Sequence, residues 1–212
     1  MSYYFDTFIE LKNTRYFDNS NTQVIIYKNS KDSSYKLQVF TLKDSVYADL
    51  YDYKQSLLIK YSVDETFKNS RDLNKLKNIR IYKNVTYHKE KKQKELFEDF
   101  EFERDTIKNQ TLVHITKYKN SKRKKIVYEN YYDFTNNKNI VYSNENSLKN
   151  HLLEKYNLLD IKNQNLETNI IVIDGKKHSE TKFLKVNKID YTYTFTINKV
   201  LPRYSFGKMW LN

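Results

Sequence analysis

The sequence predicts a mainly β protein of antiparallel sheets, sandwich- or barrel-like, with one or two short helices. Three observations predict this class. Apolar and polar residues alternate with a period of two along many segments. Aromatic residues make up 16% of the chain, with 20 tyrosines among them. Clusters of Asn, Asp, Ser and Lys separate these segments, as in turns. An α+β arrangement is the alternative, and a single domain over 1–212 is expected.

The clearest strand covers 191–198. Tyr191, Tyr193, Phe195 and Ile197 fall on one face, and Thr and Asn residues fall on the other, as in a half-buried antiparallel strand. Ile, Val, Tyr, Phe and Thr also favour strands in seven further segments. In chain order these are 3–11, 23–28, 35–41, 79–87, 111–118, 125–134 and 168–174.

Two segments favour helices. Apolar residues recur at helical spacing across 145–159, and Asn144 is a suitable N-cap. Segment 89–98 has good helix formers but few apolar anchors, and it opens a charged connector predicted over 89–105. Segment 44–58 fits either a helix or strands.

One pentapeptide, Tyr-Lys-Asn-Ser-Lys, occurs at 27–31 and again at 118–122, each time between two β-like segments. A duplicated hairpin unit would produce such an echo. In a chain this rich in Lys, Asn, Tyr and Ser, two copies of one turn sequence are the favoured explanation.

The composition excludes several classes of enzyme. The chain has two glycines, one proline and no cysteine, against 32 lysines and 24 asparagines, which is typical of an AT-rich genome. Phosphate-binding loops and nucleophile elbows need several glycines, and thiolate zinc sites need cysteines. The four histidines are far apart in sequence. No catalytic residue, metal site or cofactor is therefore predicted.

The net charge of +12 and the pI of about 9.4 suggest nucleic acid as a partner. Lysine outnumbers arginine 32 to 6, however, and AT-rich coding inflates lysine without selection for binding. The best candidate is a basic hairpin tip at 117–125 with tyrosines nearby, where cations could neutralise phosphates and rings could stack on bases. Its cations are Lys117, Lys119, Lys122, Arg123, Lys124 and Lys125.

A second candidate site follows the strand that ends near Ile173. Asp174, Glu180 and Lys182 are similar to a magnesium-dependent nuclease pattern, in which two carboxylates hold the metal and a lysine assists the attacking water. Asp174-Gly175 is also the strongest hairpin-turn dipeptide in the chain, and the turn is the favoured interpretation.

Segment 98–105 holds five carboxylates. If it is a strand, Asp99, Glu101 and Glu103 lie on one face and Phe100 and Phe102 on the other. Like charges on one strand face indicate exposure to water or to a basic partner. Exposure to water is favoured over docking to a basic partner.

The C-terminal tail, 202–212, holds the only proline and the only tryptophan of the chain. It also contains Trp, Tyr, Met and Arg, residue types that are enriched at interfaces and their hot spots. The tail is therefore predicted either to complete its own sheet or to bind a partner. The partner-binding candidates are Arg203, Tyr204, Phe206, Met209 and Trp210.

Together these features favour a non-enzymatic structural or interaction subunit of a larger assembly, with other protein subunits as partners. A bacteriophage particle component (neck, tail or baseplate) is the most concrete version. A nucleic-acid-binding protein and a divergent nuclease are the alternatives. No apolar segment is long enough to span a membrane, and the first residues do not resemble a signal peptide. An intracellular location, or one within a virion assembled in the host cytoplasm, is expected.

Overall fold

The computed structural model describes residues 1–42, 45–63, 67, 72–73, 76–83, 85, 96–136 and 147–194. Within them the chain forms eleven β-strands, one α-helix and one 3-10 turn. The strands are β1 (Ser2–Arg15), β2 (Ser20–Lys28), β3 (Tyr35–Leu42), β4 (Ser45–Asp52), β5 (Leu57–Ser62), β6 (Lys77–Tyr82), β7 (Phe97–Asp105), β8 (Gln110–Tyr118), β9 (Ile126–Thr135), β10 (Asn165–Ile173) and β11 (Lys176–Thr194). The helix is α1 (Ser147–Tyr156), followed by the 3-10 turn (Leu159–Asn163). The prediction of a mainly β fold with short helices is confirmed.

All strands belong to one antiparallel sheet with the order β6-β5-β4-β3-β2-β1-β11-β10-β9-β8-β7. The chain runs outward from β1 to β6 through consecutive neighbours. It then returns from the other edge, β7, inward to β11. This path makes the first and last strands neighbours, although they are far apart in sequence.

The chain divides into two compact units. Unit 1 comprises 1–8, 24–91 and 188–212, and unit 2 comprises 9–23 and 92–187. By these bounds β1, β2 and β11 each contribute residues to both units.

Unit 1 has a core rich in aromatic side chains. The rings of Phe5 and Tyr27 pack edge to face, with centroids 6.1 Å apart, and Tyr3 packs against Tyr35 at 5.0 Å. The Tyr3 hydroxyl donates a 2.8 Å hydrogen bond to the buried Asp52 carboxylate. Tyrosine therefore fills this core with its ring while its hydroxyl is bonded. The other members of the core include Phe8, Ile25, Leu37, Val39, Leu50, Ile59, Phe67 and Ile81.

Unit 2 packs α1 and the 3-10 turn against one face of the β7–β8–β9–β10 sheet. Leu152 of α1 and Ile161 of the 3-10 turn are buried against Val113 and Phe134. The Tyr156 ring stacks on Phe100 of β7, with centroids 3.9 Å apart. The opposite face of these strands has no helix over it among the residues described.

The predicted segments agree with the strands in most places. Segment 145–159 contains α1, while Asn144 lies outside the described residues, as do 195–198 of the predicted last strand. Segment 44–58 is resolved as two strands, because Ser56 at φ 51° and the bond from the Gln55 N–H to Asp52 form a turn between them.

The helix predicted over 89–98 is wrong at its C-terminal end. Residues 89–95 lie outside the described part, and 97–98 begin β7. Strand β7 pairs with β8 along its whole length, so residues 97–105 of the predicted connector are part of the sheet. Tertiary pairing overrides the local helix propensity of this charged segment.

The two copies of Tyr-Lys-Asn-Ser-Lys lie at corresponding hairpin connections, β2–β3 and β8–β9. Different bonds close them. In the first, the Asn29 side chain accepts the N–H groups of Lys31 and Asp32. In the second, the Lys119 N–H donates to the carbonyl of Lys125.

Residues Asp174 and Gly175 form the turn between β10 and β11. Both have positive φ, 50° and 71°, which the two-residue hairpin turn requires. Replacing Gly175 by alanine is expected to cost about 1 kcal/mol of unfolding free energy, because an alanine is strained at this φ. A Cβ there would meet no atom within 4 Å, so the cost is confined to the backbone. Urea denaturation at pH 7 measures it, with Lys176→Ala as the control expected to stay within about 0.5 kcal/mol of wild type.

Among the described residues, no helix is both long and apolar enough to cross a membrane.

Candidate nucleic-acid interface

The basic tip predicted at 117–125 is the end of the β8–β9 hairpin. The Lys119 N–H donates a 3.1 Å bond to the carbonyl of Lys125, and the Arg123 N–H donates one of 3.1 Å to the carbonyl of Asn120. Arg123 takes up a positive φ of 52°. These bonds fold the loop tightly and leave its lysine side chains exposed.

Two of the six predicted cations are neutralised by the neighbouring strand β7. The Lys117 ammonium donates to the Glu98 carboxylate, and the Arg123 guanidinium lies 2.5 Å from Asp99. The hydrogen bond that Tyr118 donates to Asp99 raises the pKa of the Tyr118 hydroxyl. Lys117 and Arg123 therefore help to hold β7 against β8, and their positive charges are balanced by carboxylates of β7.

The other four cations, Lys119, Lys122, Lys124 and Lys125, are exposed. No described carboxylate forms an ion pair with any of them. One turn therefore carries four exposed positive charges within seven residues, and no described carboxylate neutralises them.

Two other hairpin turns of unit 2 lie at the same end of the sheet. Val172 pairs with Glu129, three residues after β9 begins, so the turn at 174–175 lies level with the start of β9. The Tyr16 N–H donates a 2.9 Å bond to the carbonyl of His178, which aligns the β1–β2 turn with the start of β11. We call the turns at 16–19, 174–175 and 119–125, with the residues next to them, the turn row.

Exposed aromatic rings occupy the β1–β2 turn of the row. Phe17 is 61% exposed and stacks one ring face on His178, with centroids 4.7 Å apart and an interplanar angle of 16°. The neighbouring Tyr16 is also exposed, and its hydroxyl donates a 2.6 Å bond to Glu180, which raises the pKa of Tyr16. Phe17 is therefore held in place while much of its surface is accessible.

Cations flank these rings. The Arg15 guanidinium lies 5.5 Å from the Phe17 ring centroid, and the Lys177 ammonium lies 5.9 Å from that of Tyr16. Lys176 and Lys177 are exposed beside the turn. Arg15 also forms an ion pair with Asp18 at 3.2 Å, which balances its charge. Lys176 and Lys177 therefore contribute more of the unbalanced positive charge than Arg15 does.

The chemistry of the turn row suits an extended anion with flat rings. Adjacent strands are about 4.8 Å apart, so neighbouring hairpins are about 10 Å apart and the row spans about 20 Å. Lysine ammonium groups neutralise phosphates, and an exposed aromatic ring offers a face on which a base can stack.

The proposed metal-binding residues are not brought together. Asp174 forms the turn, whereas Glu180 pairs opposite Ile170 and lies four residues into β11 from Lys176. That separation is about 13 Å along an extended strand. Lys182 lies 3.9 Å from Glu167 instead. No group of three potential metal ligands occurs among the described residues.

The predicted partner-binding tail, with Arg203, Tyr204, Phe206, Met209 and Trp210, lies outside the described residues. It stays a prediction.

Of the three turns in the row, the sequence predicted a nucleic-acid role only for the one at 119–125. It predicted the turn at 174–175 without that role, and it did not single out the turn at 16–19. Tyr16, Phe17, Lys176 and Lys177 are separated from the tip at 117–125 by long stretches of chain. Each of these residues lies beside a turn between two segments with period-two alternation, and this is the pattern in the sequence by which they could have been found. Only the strand order brings these turns to one end of the sheet.

Comparison with known proteins adds no relationship: no family model matches the chain, and no curated protein matches it in sequence. The geometry is therefore the basis for assigning a function.

Proposed function

We propose that the protein is a non-enzymatic interaction subunit of a larger assembly and that it contacts single-stranded nucleic acid through the turn row. The observation that carries this proposal is the free charge of the β8–β9 turn, where four exposed lysines lack a described ion-pair partner. Its neighbours at the same sheet end add Lys176, Lys177 and the exposed ring of Phe17.

Single strands suit this surface better than duplexes. A duplex buries its base faces, so Phe17 would have nothing to stack on. The row consists of short turns, and no helix of the described residues projects from it to enter a major groove. The lysines contact phosphates and the aromatic ring can stack on any base, so little preference for base sequence is expected.

The assembly is inferred from the composition and from the C-terminal tail. Composition favours a bacteriophage particle component, and the residue types of the C-terminal tail favour contact with another protein subunit. Both statements rest on the sequence.

Replacing Phe17 by alanine is expected to weaken binding to a single-stranded oligonucleotide about tenfold, because one stacked base contributes about 1–3 kcal/mol. The fluorescence anisotropy of a labelled oligothymidine measures the affinity of the full chain. Phe102→Ala is the matched control, since Phe102 is also an exposed phenylalanine but pairs with Val113 in the middle of β8, away from the row. Equal affinity of the Phe17 variant and wild type would remove stacking from the proposal.

A further inference from the structure

A second surface of unit 2, at the edge strand β7, is acidic, whereas the turn row is basic. Strand β7 is the last strand in the sheet order, and among the described residues no strand pairs with its outer side. An edge strand presents unpaired backbone N–H and C=O groups that can accept a further strand. Two of its side chains are accessible as well: Glu101 is 80% exposed on its side chain and Phe102 is 52% exposed.

A groove of about 410 Å³ adjoins this edge. It lies on the face opposite α1, because its floor residues Leu112 and Tyr131 alternate with Val113 and Tyr132, which pack toward the helix. Leu112 is 45% exposed and Tyr131 is 40% exposed. The floor therefore offers apolar surface that no described residue covers.

Carboxylates border the groove on both sides. Glu101 and Glu103 come from β7, and Asp133 comes from β9. His114 lies between them: its Nδ1 is 3.5 Å from Glu101 and its ring stacks on Tyr131, with centroids 4.3 Å apart. None of the residues that line the groove is lysine or arginine. In a chain with a net charge of +12, this groove is locally acidic.

The alternation along β7 specifies what would pair with it. Asp99, Glu101 and Glu103 lie on one face of β7, about 7 Å apart in succession, while Phe100 and Phe102 lie on the other face. Asp99 is paired with Arg123, so Glu101 and Glu103 are the carboxylates that border the groove. A strand added to β7 would place every second side chain over the groove. Lysine and arginine fit there best, since their aliphatic stems can cover Leu112 and their charged heads can reach the carboxylates.

We propose that the β7 edge and its groove bind an extended segment of a partner protein by strand addition, with Lys or Arg at alternate positions and apolar residues between them. The apolar positions of that segment pack beside the exposed Phe102. This surface is separate from the turn row and does not depend on nucleic-acid binding.

The test uses the full chain and synthetic peptides in isothermal titration calorimetry at low salt. An alternating peptide, made of four Lys-Val repeats, is expected to bind. Two further peptides are expected to bind at least fivefold more weakly. One is a block peptide of the same composition, with all its lysines before all its valines, and the other is the alternating peptide methylated at every second backbone nitrogen. Equal binding of all three would overturn strand addition.

The double variant Glu101→Gln, Glu103→Gln is expected to bind the alternating peptide about fivefold or more weakly than wild type, because two rim charge pairs are lost. Both side chains are exposed, so folding is preserved, and circular dichroism checks this. The control Glu154→Gln, Asp174→Asn removes two exposed charges elsewhere and is expected to leave affinity unchanged.

Two further results would overturn the proposal. One is unchanged affinity in the Glu101, Glu103 variant. The other is dimerisation of the free chain, seen by light scattering and lost on Glu101→Lys with Glu103→Lys, which would make the occupant a second copy of the chain. A lysine-to-glutamine variant of the turn row should bind the peptide as wild type does, so this test is independent of the proposed function.

Discussion

Replacing Glu98 by glutamine is expected to lower the unfolding free energy of unit 2 by about 3 kcal/mol. The Glu98 side chain is 7% exposed and accepts hydrogen bonds from Lys117 of β8 and from Lys155 and Tyr156 of α1. It therefore joins the edge strand to its neighbour and to the helix. Glutamine fills the same space but leaves the largely buried Lys117 ammonium without a counter-charge.

The pKa of Glu98 supports this magnitude. Burial alone would raise that pKa, but the bonds from Lys117, Lys155 and Tyr156 outweigh burial and lower it to about 2. A pKa depressed by about 2.5 units corresponds to about 3 kcal/mol. Urea denaturation at pH 7, followed by circular dichroism, measures the loss. Glu101→Gln on the same strand is the control, expected to change stability by less than about 0.5 kcal/mol because Glu101 is exposed.

The same shift gives the pH dependence a definite sign. Because the folded pKa lies below the unfolded value, the contribution of Glu98 is present in full above about pH 5. It is lost as the pH falls toward the folded value of about 2. Wild-type stability should therefore fall over this range by about 3 kcal/mol more than that of Glu98→Gln. Parallel curves for the two proteins would contradict the role assigned to this carboxylate.

Replacing the four free lysines of the β8–β9 turn by glutamine is expected to have the largest effect on binding. Lys119, Lys122, Lys124 and Lys125 are exposed and unpaired with described carboxylates, so their removal is not expected to disturb the fold. Each phosphate neutralised on a single strand contributes about 0.7 to the slope of log affinity against log salt. Loss of four contacts should lower the slope by about 3 and the affinity at about 0.1 M salt by about 100-fold or more.

The matched control removes the same charge elsewhere on unit 2. Lys12, Lys108, Lys162 and Lys185 are exposed and lie outside the turn row. Their replacement by glutamine changes the net charge equally. It is expected to reduce affinity less than tenfold, because long-range attraction between exposed charges is screened. Equal losses in the two quadruple variants would mean that net charge, and not the turn row, attracts the nucleic acid.

The sequence predicted the strands well where one face is buried, as in β8, because burial imposes the period of two. It predicted β4 and the first two residues of β5 only as one of two alternatives, and it did not predict the rest of β5. Both faces are buried at the end of β4, where Leu50, Tyr51 and Asp52 are all buried, so the alternation disappears. Strand β7 was obscured by its charges, since an edge strand tolerates acidic side chains that a central strand would bury at high cost.

Only the 117–125 part of the candidate interface could be predicted from the sequence. The tip at 117–125 is contiguous in sequence, so its charge could be recognised directly. Its neighbours in the row depend on the pairing of β1 with β11, which joins Tyr16 to His178 across most of the chain. Local patterns carry no information about such pairings. The ion pairs that neutralise Lys117 and Arg123 depend on the β7–β8 register and were equally hidden.

The most direct test of the central claim is the salt dependence of wild-type binding to a labelled single-stranded oligonucleotide, measured between about 50 and 300 mM salt alongside a duplex of the same length. The turn row predicts tighter binding to the single strand, with a log–log slope of about −3 to −4 that falls toward zero in the quadruple lysine variant. Binding that is undetectable at the lowest salt concentration, or a slope that the variant leaves unchanged, would contradict it.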